Sequence, residues 1–186
     1  MAGGAAVEGI YKDTEYIFGA LPPSDTYHLS SVDGLRDSCL AYNLTDCKFG
    51  FIEVDSDSGI AQCRGAFEHV RDKEGRGKGF GGVTYFTSIQ RIPKTPTLED
   101  TIAALENLRN AKVNILIGCT FTATGIAIIE ALEEMDYNLY GVALSSTVDT
   151  PVYQSKLFEP GGWKFECVEG PTVHMYIYER IVRLVF

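Results

Sequence analysis

Apolar and polar positions along the chain alternate in stretches whose period assigns an element to most of the sequence. Residues 49–54, Phe-Gly-Phe-Ile-Glu-Val, read as a strand. Asp55-Ser56-Asp57-Ser58-Gly59 reads as a turn, because Asp and Ser bond their own backbone and Gly tolerates positive φ. Residues 60–70 read as a second strand, which makes 49–70 a hairpin. Residues 83–92 are rich in β-branched and aromatic types and lean to strand, and Pro93 and Pro96 end that run. Thr97 then opens a helix. It is an N-cap residue followed by Glu99 and Asp100, whose charges suit the helix dipole. Leu98, Ile102, Leu105 and Leu108 keep helical spacing.

Residues 113–119 form a strand of the buried type, with almost no polar residues. A small-residue turn follows at 120–125. A helix at 126–135 keeps Glu130, Glu133 and Glu134 on its wet side, and 139–144 is another strand. This strand–turn–helix–strand order implies parallel or mixed pairing. Weaker signals place a strand at 16–21, a helical pattern around 35–42, and a terminal hairpin. The hairpin pairs 164–168 with 173–178 across Gly170-Pro171, with Trp163 anchoring it. The expectation is a single domain over 1–186 with an irregular N-terminal segment of about 25 residues. Its class is α+β with α/β-like layers, built on a mixed, mainly antiparallel central sheet flanked by helices.

Composition narrows the function classes. Of 186 residues, 45% are hydrophobic and 22% charged, which excludes wholesale disorder. The net charge of −9 argues against nucleic-acid binding, since phosphate contacts need clustered Lys and Arg. No apolar run approaches the roughly 18 residues of a membrane span. The first residues lack the basic and apolar regions of a secretory leader, so the expected location is the cytoplasm or an assembled particle. Five cysteines without a CxxC pair argue against zinc and for reduced thiols. Asn43-Leu44-Thr45 is a glycosylation sequon that means little without a leader. His28, His69 and His174 show no ligand spacing and read as packed or surface histidines.

Glycine between a strand and a helix N-terminus suits an anion, because backbone N–H groups point outward there. Two segments qualify. Arg76-Gly77-Lys78-Gly79-Phe80-Gly81 fits the pattern R-x-x-G-x-G. Residues 117–127, IGCTFTATGIA, place Phe121 at an aromatic position, and Gly125 and Ala127 at small ones. Thr122 stands where Arg or Gln is usual. Both segments resemble the pyrophosphate loop of the GNAT superfamily of acyl-CoA-dependent N-acyltransferases.

That resemblance implies a GNAT-like fold, with acetyl-CoA or another acyl-CoA as co-substrate. The activity it implies is direct acyl transfer to a small or peptidic amine. Tyr153 would be the general acid, and Glu53 and Glu68 the candidate bases. The partners implied are a small-molecule or peptide amine, with no nucleic acid and no membrane. The competing expectation is a non-catalytic assembly subunit of the same architecture, for example in a virion or other particle, forming a homo-oligomer. Two further resemblances rest on 115–125. ILIGCTFTATG is similar to the Gly-Cys-Thr turn of aspartate/glutamate racemases, which would make Cys119 an acid/base thiol. TATG is similar to a phosphoribosyltransferase loop, with Cys119-Thr120 in place of the acidic pair expected there.

Overall fold

The computed structural model describes residues 23–75 and 83–145, together with the backbone of three short strands beyond them. A 3-10 turn, Ser24–Thr26, leads into α1 (Leu29–Ala41), β1 (Lys48–Val54) and α2 (Asp57–Gly75). After it come β2 (Thr84–Tyr85), β3 (Gln90–Ile92), α3 (Leu98–Asn110), β4 (Ile115–Cys119), α4 (Thr122–Glu134) and β5 (Gly141–Leu144). The last strands are β6 (Phe158–Glu159), β7 (Gly162–Trp163) and β8 (Val168–Glu169).

Six strands form one sheet in the order β2-β1-β4-β5-β8, with β3 also paired to β1. Every pairing in this sheet is parallel. β1 and β4 pair along their length, from Phe49 opposite Ile115 to Glu53 opposite Cys119. The expectation of a mainly antiparallel sheet is therefore corrected. Helices connect β1 to β2, β3 to β4 and β4 to β5, and a helical crossover brings the next strand back parallel. β6 and β7 form a separate antiparallel pair.

The largest local departure from the sequence reading is α2. Residues 60–70 are helical, not a strand. Their buried positions Cys63, Ala66 and Val70 recur at three and four residues, which is helical spacing. Among the residues around them Ile60 and Phe67 favour strands by type, and that masks the period. Of the expected turn at 55–59, Asp55-Ser56 form the bend after β1 and Asp57 already starts the helix. Gly59 N–H donates to Ser56 Oγ at 3.1 Å, a helix N-cap bond. α3 begins where the sequence places it, with a capping box. Asp100 N–H donates to Thr97 Oγ1 at 3.1 Å, and Thr97 N–H donates to Asp100 Oδ2 at 2.9 Å.

Side-chain alternation along the buried strands splits the core in two. Phe49, Phe51, Ile115, Ile117 and Ala143 face α1 and α2, against Val32, Leu35, Ala66 and Val70. Ile52, Leu116, Val142 and Leu144 face α3 and α4, against Leu105, Leu108, Ile128 and Ile129. The 3-10 turn lies so close on α2 that a Cβ at Gly65 would sit 1.8 Å from the Asp25 carbonyl oxygen. Four cysteines expected as free thiols are paired. Cys39 joins Cys47 across the α1–β1 connection, and Cys63 of α2 joins Cys119 at the end of β4. Among the described residues, no helix is long and apolar enough to cross a membrane.

Candidate functional site

The strand order singles out one place. From β1 the chain turns through α2 to β2 and β3 on one edge of β1, whereas β4 lies on the other edge. α2 covers the face of Phe49 and Phe51, while α4 covers the face of Ile52 and Leu116. The connections leaving β1 (Asp55-Ser56) and β4 (Thr120-Phe121) therefore depart to opposite faces and leave a crevice between them. In open α/β sheets, ligands bind at such a reversal, outside the carboxyl ends of the strands.

The lips of the crevice differ. α2 is closed by its Ser56 cap. The N-cap residue of α4 is Phe121, which supplies no side-chain cap, and the ring is 45% exposed. Thr120 is buried, and its Oγ1 has no hydrogen-bond partner. At the end of β1, Glu53 is 4% exposed and held by Arg91. Arg91 Nε donates to Glu53 Oε1 at 2.7 Å, and Arg91 Nη2 lies 2.6 Å from the same oxygen. Asp55 stands 3.9 Å from Arg91 Nη1. The hydrogen bond that Glu53 accepts, and then its charge, hold the guanidinium above its ordinary pKa.

Beneath the edge lies a buried polar network. Ser145 Oγ donates to Gln62 Oε1 at 2.5 Å and lies 2.7 Å from His28 Nε2. With the hydroxyl proton committed to Gln62, the His28 ring must donate from Nε2. Thr120 N–H also donates to Ser145 Oγ, at 3.4 Å. His28 is 1% exposed, its Nδ1 has no partner, and burial pushes its pKa down to about 4. The imidazole is thus neutral at pH 7. The network ties the lead-in to α1, the first half of α2, the β4–α4 connection and the end of β5 into one floor. No sequence signal marked it, since Ser145 is 117 residues from His28 and 83 from Gln62.

The residues singled out from sequence are scattered. Arg76, Gly77, Lys78, Gly79, Phe80, Gly81 and Tyr153 lie outside the described residues, as do the strand at 16–21 and most of the terminal hairpin. Glu53 sits in its ion pair on β1. Glu68 is on a helix, where Arg64 Nε donates to it at 3.1 Å. Thr122, Gly125 and Ala127 belong to the first turns of α4, which begins four residues earlier than expected. Gly125 N–H donates to Phe121 O at 2.8 Å as an ordinary helical bond, so it does not project toward a ligand. The connection after β4 is two residues long rather than a glycine-rich cradle.

No protein-family model matches the chain, and no curated protein sequence matches it. Solved structures do. A branched-chain amino acid ABC transporter protein from Thermus thermophilus with bound valine superposes with a TM-score of 0.63 at 12% identity. The match covers 81% of this chain and 36% of that one. The chain shares the fold of one part of these ABC-transporter proteins. A putative branched-chain amino acid ABC transporter protein from Rhodospirillum rubrum gives 0.62 at 15% identity, over 91% of this chain and 44% of that one. A solute binding protein from Rhodopseudomonas palustris BisB5, in complex with 3,4-dihydroxy benzoic acid, gives 0.54 at 13% identity. There the match covers 76% of this chain and 34% of that one. The chain thus spans less than half the length of the structures it matches.

These likenesses overturn the GNAT resemblance, and with it the acyltransferase activity and the acyl-CoA co-substrate. A parallel sheet flanked by helices on both faces is not the GNAT architecture, and the structural neighbours are solute-binding proteins. The assembly-subunit alternative loses its basis with the acyltransferase-like fold. The racemase alternative fails on Cys119 itself, whose sulfur is bonded to Cys63. A small-molecule partner remains compatible with the neighbours.

Proposed function

We propose that this chain is a small-molecule-binding module that seats its ligand in the crevice between the carboxyl ends of β1 and β4. The observation that carries the reading is the reversal of strand order between these two strands, the position where open parallel sheets bind ligands. The ligand class is a small organic acid of amino-acid or aromatic-acid size. Its carboxylate would meet the positive end of α4, a helix of 13 residues without a side-chain cap. Its apolar part would lie on the exposed Phe121 ring. Asp55, on the β1 side, suits an ammonium group. The bound valine and dihydroxybenzoate of two structural neighbours are of this class.

Calorimetric titration and thermal shift of the intact natural protein test the reading, with valine, leucine, glutamate and 3,4-dihydroxybenzoate as probes. A ligand at 100 times its Kd should stabilise the fold by about 2.7 kcal/mol. Phe121→Ala should weaken binding at least tenfold. Tyr42→Ala, at the opposite edge of the sheet, should leave it unchanged. The reading fails if no probe shifts the melting temperature at millimolar concentration, or if both variants weaken binding equally.

A further inference from the structure

We propose that Asn43 carries an N-linked glycan. The proposal stands independently of ligand binding and joins three observations. The first is the sequon itself, Asn43-Leu44-Thr45, with a middle residue other than proline. The second is its placement. α1 ends in a Schellman turn, in which Asn43 N–H donates to Leu40 O at 3.1 Å and Leu44 N–H to Cys39 O at 2.9 Å. Asn43 has φ 53°, in the left-handed region that such a turn requires. Leu44 packs against the core beside α1, while Asn43 and Thr45 are exposed on either side of it. The turn accounts for an asparagine at 43, but it places no demand on residue 45.

The third observation is the Cys39–Cys47 disulfide, which brackets the sequon. With Cys63–Cys119 it makes two buried cystines, and cystines persist in oxidising compartments. The secretory lumen is such a compartment, and it is also where sequons are modified. The sequon and the cystines therefore point to one cellular route, and that route is secretory rather than cytoplasmic.

The modification is a group transfer from a lipid pyrophosphate-linked oligosaccharide. The Asn43 side-chain nitrogen forms a bond to the anomeric carbon of the sugar, and the bond from that carbon to the pyrophosphate oxygen breaks. The lipid pyrophosphate leaves, and the amide gives up one proton to solvent. Residues 42–47 lie at the amino-terminal end of β1. A glycan there projects from the edge opposite the crevice and leaves it open.

One peptide reports on both halves of the argument. Trypsin cuts after Arg36 and Lys48, and peptide 37–48 contains the sequon and both Cys39 and Cys47. The natural protein is digested without reduction, and the peptide is weighed before and after peptide N-glycosidase treatment in oxygen-18 water. The expected result is an oxidised, glycan-bearing peptide whose Asn43 becomes labelled aspartate on release. An oxidised peptide with unmodified Asn43 overturns the glycan, and a reduced peptide with unmodified Asn43 overturns the compartment as well. In a eukaryotic secretory host, Thr45→Ala should abolish the glycosidase-sensitive gel shift and Thr45→Ser should retain it. A shift that persists in Thr45→Ala overturns the assignment.

Discussion

Acidification should weaken the fold through His28, by an amount that follows from where the ring sits. The imidazole is buried and donates from Nε2 to Ser145, and its Nδ1 has no acceptor that could receive a second proton. Burial lowers its pKa from 6.5 to about 4. At pH 7 the ring is neutral in the folded chain and mostly neutral in the unfolded one. Between about 6.5 and 4 the unfolded chain takes up a proton that the native ring refuses, so stability falls as pH falls through this window. Below about 4 both states are protonated and the loss levels off. At about 1.4 kcal/mol per pH unit, the window corresponds to roughly 3 kcal/mol. That is a large part of the 5–15 kcal/mol typical of a domain. Urea titrations followed by circular dichroism at a series of pH values from 7 to 4.5 measure it. His28→Gln keeps an amide donor for Ser145 and removes the titrating group. Its stability should fall less steeply, so the gap between the two proteins should close by about 2–3 kcal/mol over that range. Parallel curves would refute the argument.

Three further outcomes follow from packing and cross-links. Gly65→Ala should lower stability by about 1–3 kcal/mol in thermal denaturation, because its Cβ meets a main-chain oxygen that cannot rotate away. Gly118→Ala, whose Cβ would clash only with the terminal Cδ2 of Leu144, at 2.3 Å, and make ordinary contacts otherwise, should cost less, and equal melting temperatures for the two variants would contradict this. Leu108→Ala, fully buried between α3 and the sheet, should cost about 2–5 kcal/mol in a denaturant titration, and a loss below 1 kcal/mol would count against that packing. Replacing Cys63 and Cys119 by alanine should cost about 4 kcal/mol, against about 2.5 for Cys39 and Cys47. The first pair closes a separation of 56 residues and the second only 8, so an inverted order would be inconsistent with chain-entropy stabilisation.

What the sequence discloses here is local order, and what it conceals is pairing. β1, α3 and β4 are legible because their apolar patterns are unmixed and Thr97 marks its helix start. α2 is not, because small residues, Cys63 and Ala66, carry its buried stripe while larger strand-favouring ones surround it. Reading α2 as a strand makes β1–α2 a hairpin and favours a mainly antiparallel sheet. The order over 113–144 implies parallel or mixed pairing, whereas the GNAT resemblance implies a mainly antiparallel sheet. Its second motif dissolves once α4 starts at Thr122, since Gly125 N–H is spent inside the helix. Thr120 and Phe121 read as turn residues, and they form the short connection between β4 and α4. His28, Gln62 and Ser145 meet only through the fold.

The Cys63–Cys119 cross-link has a mechanical consequence. It fastens the helix that leaves β1 to the last residue of β4, directly under the two connections that bound the crevice. The jaws of the crevice are thereby riveted at their root and cannot gape by sliding α2 along the sheet. A guest of the proposed kind would therefore meet a slot whose gauge is already fixed at the root by the covalent rivet.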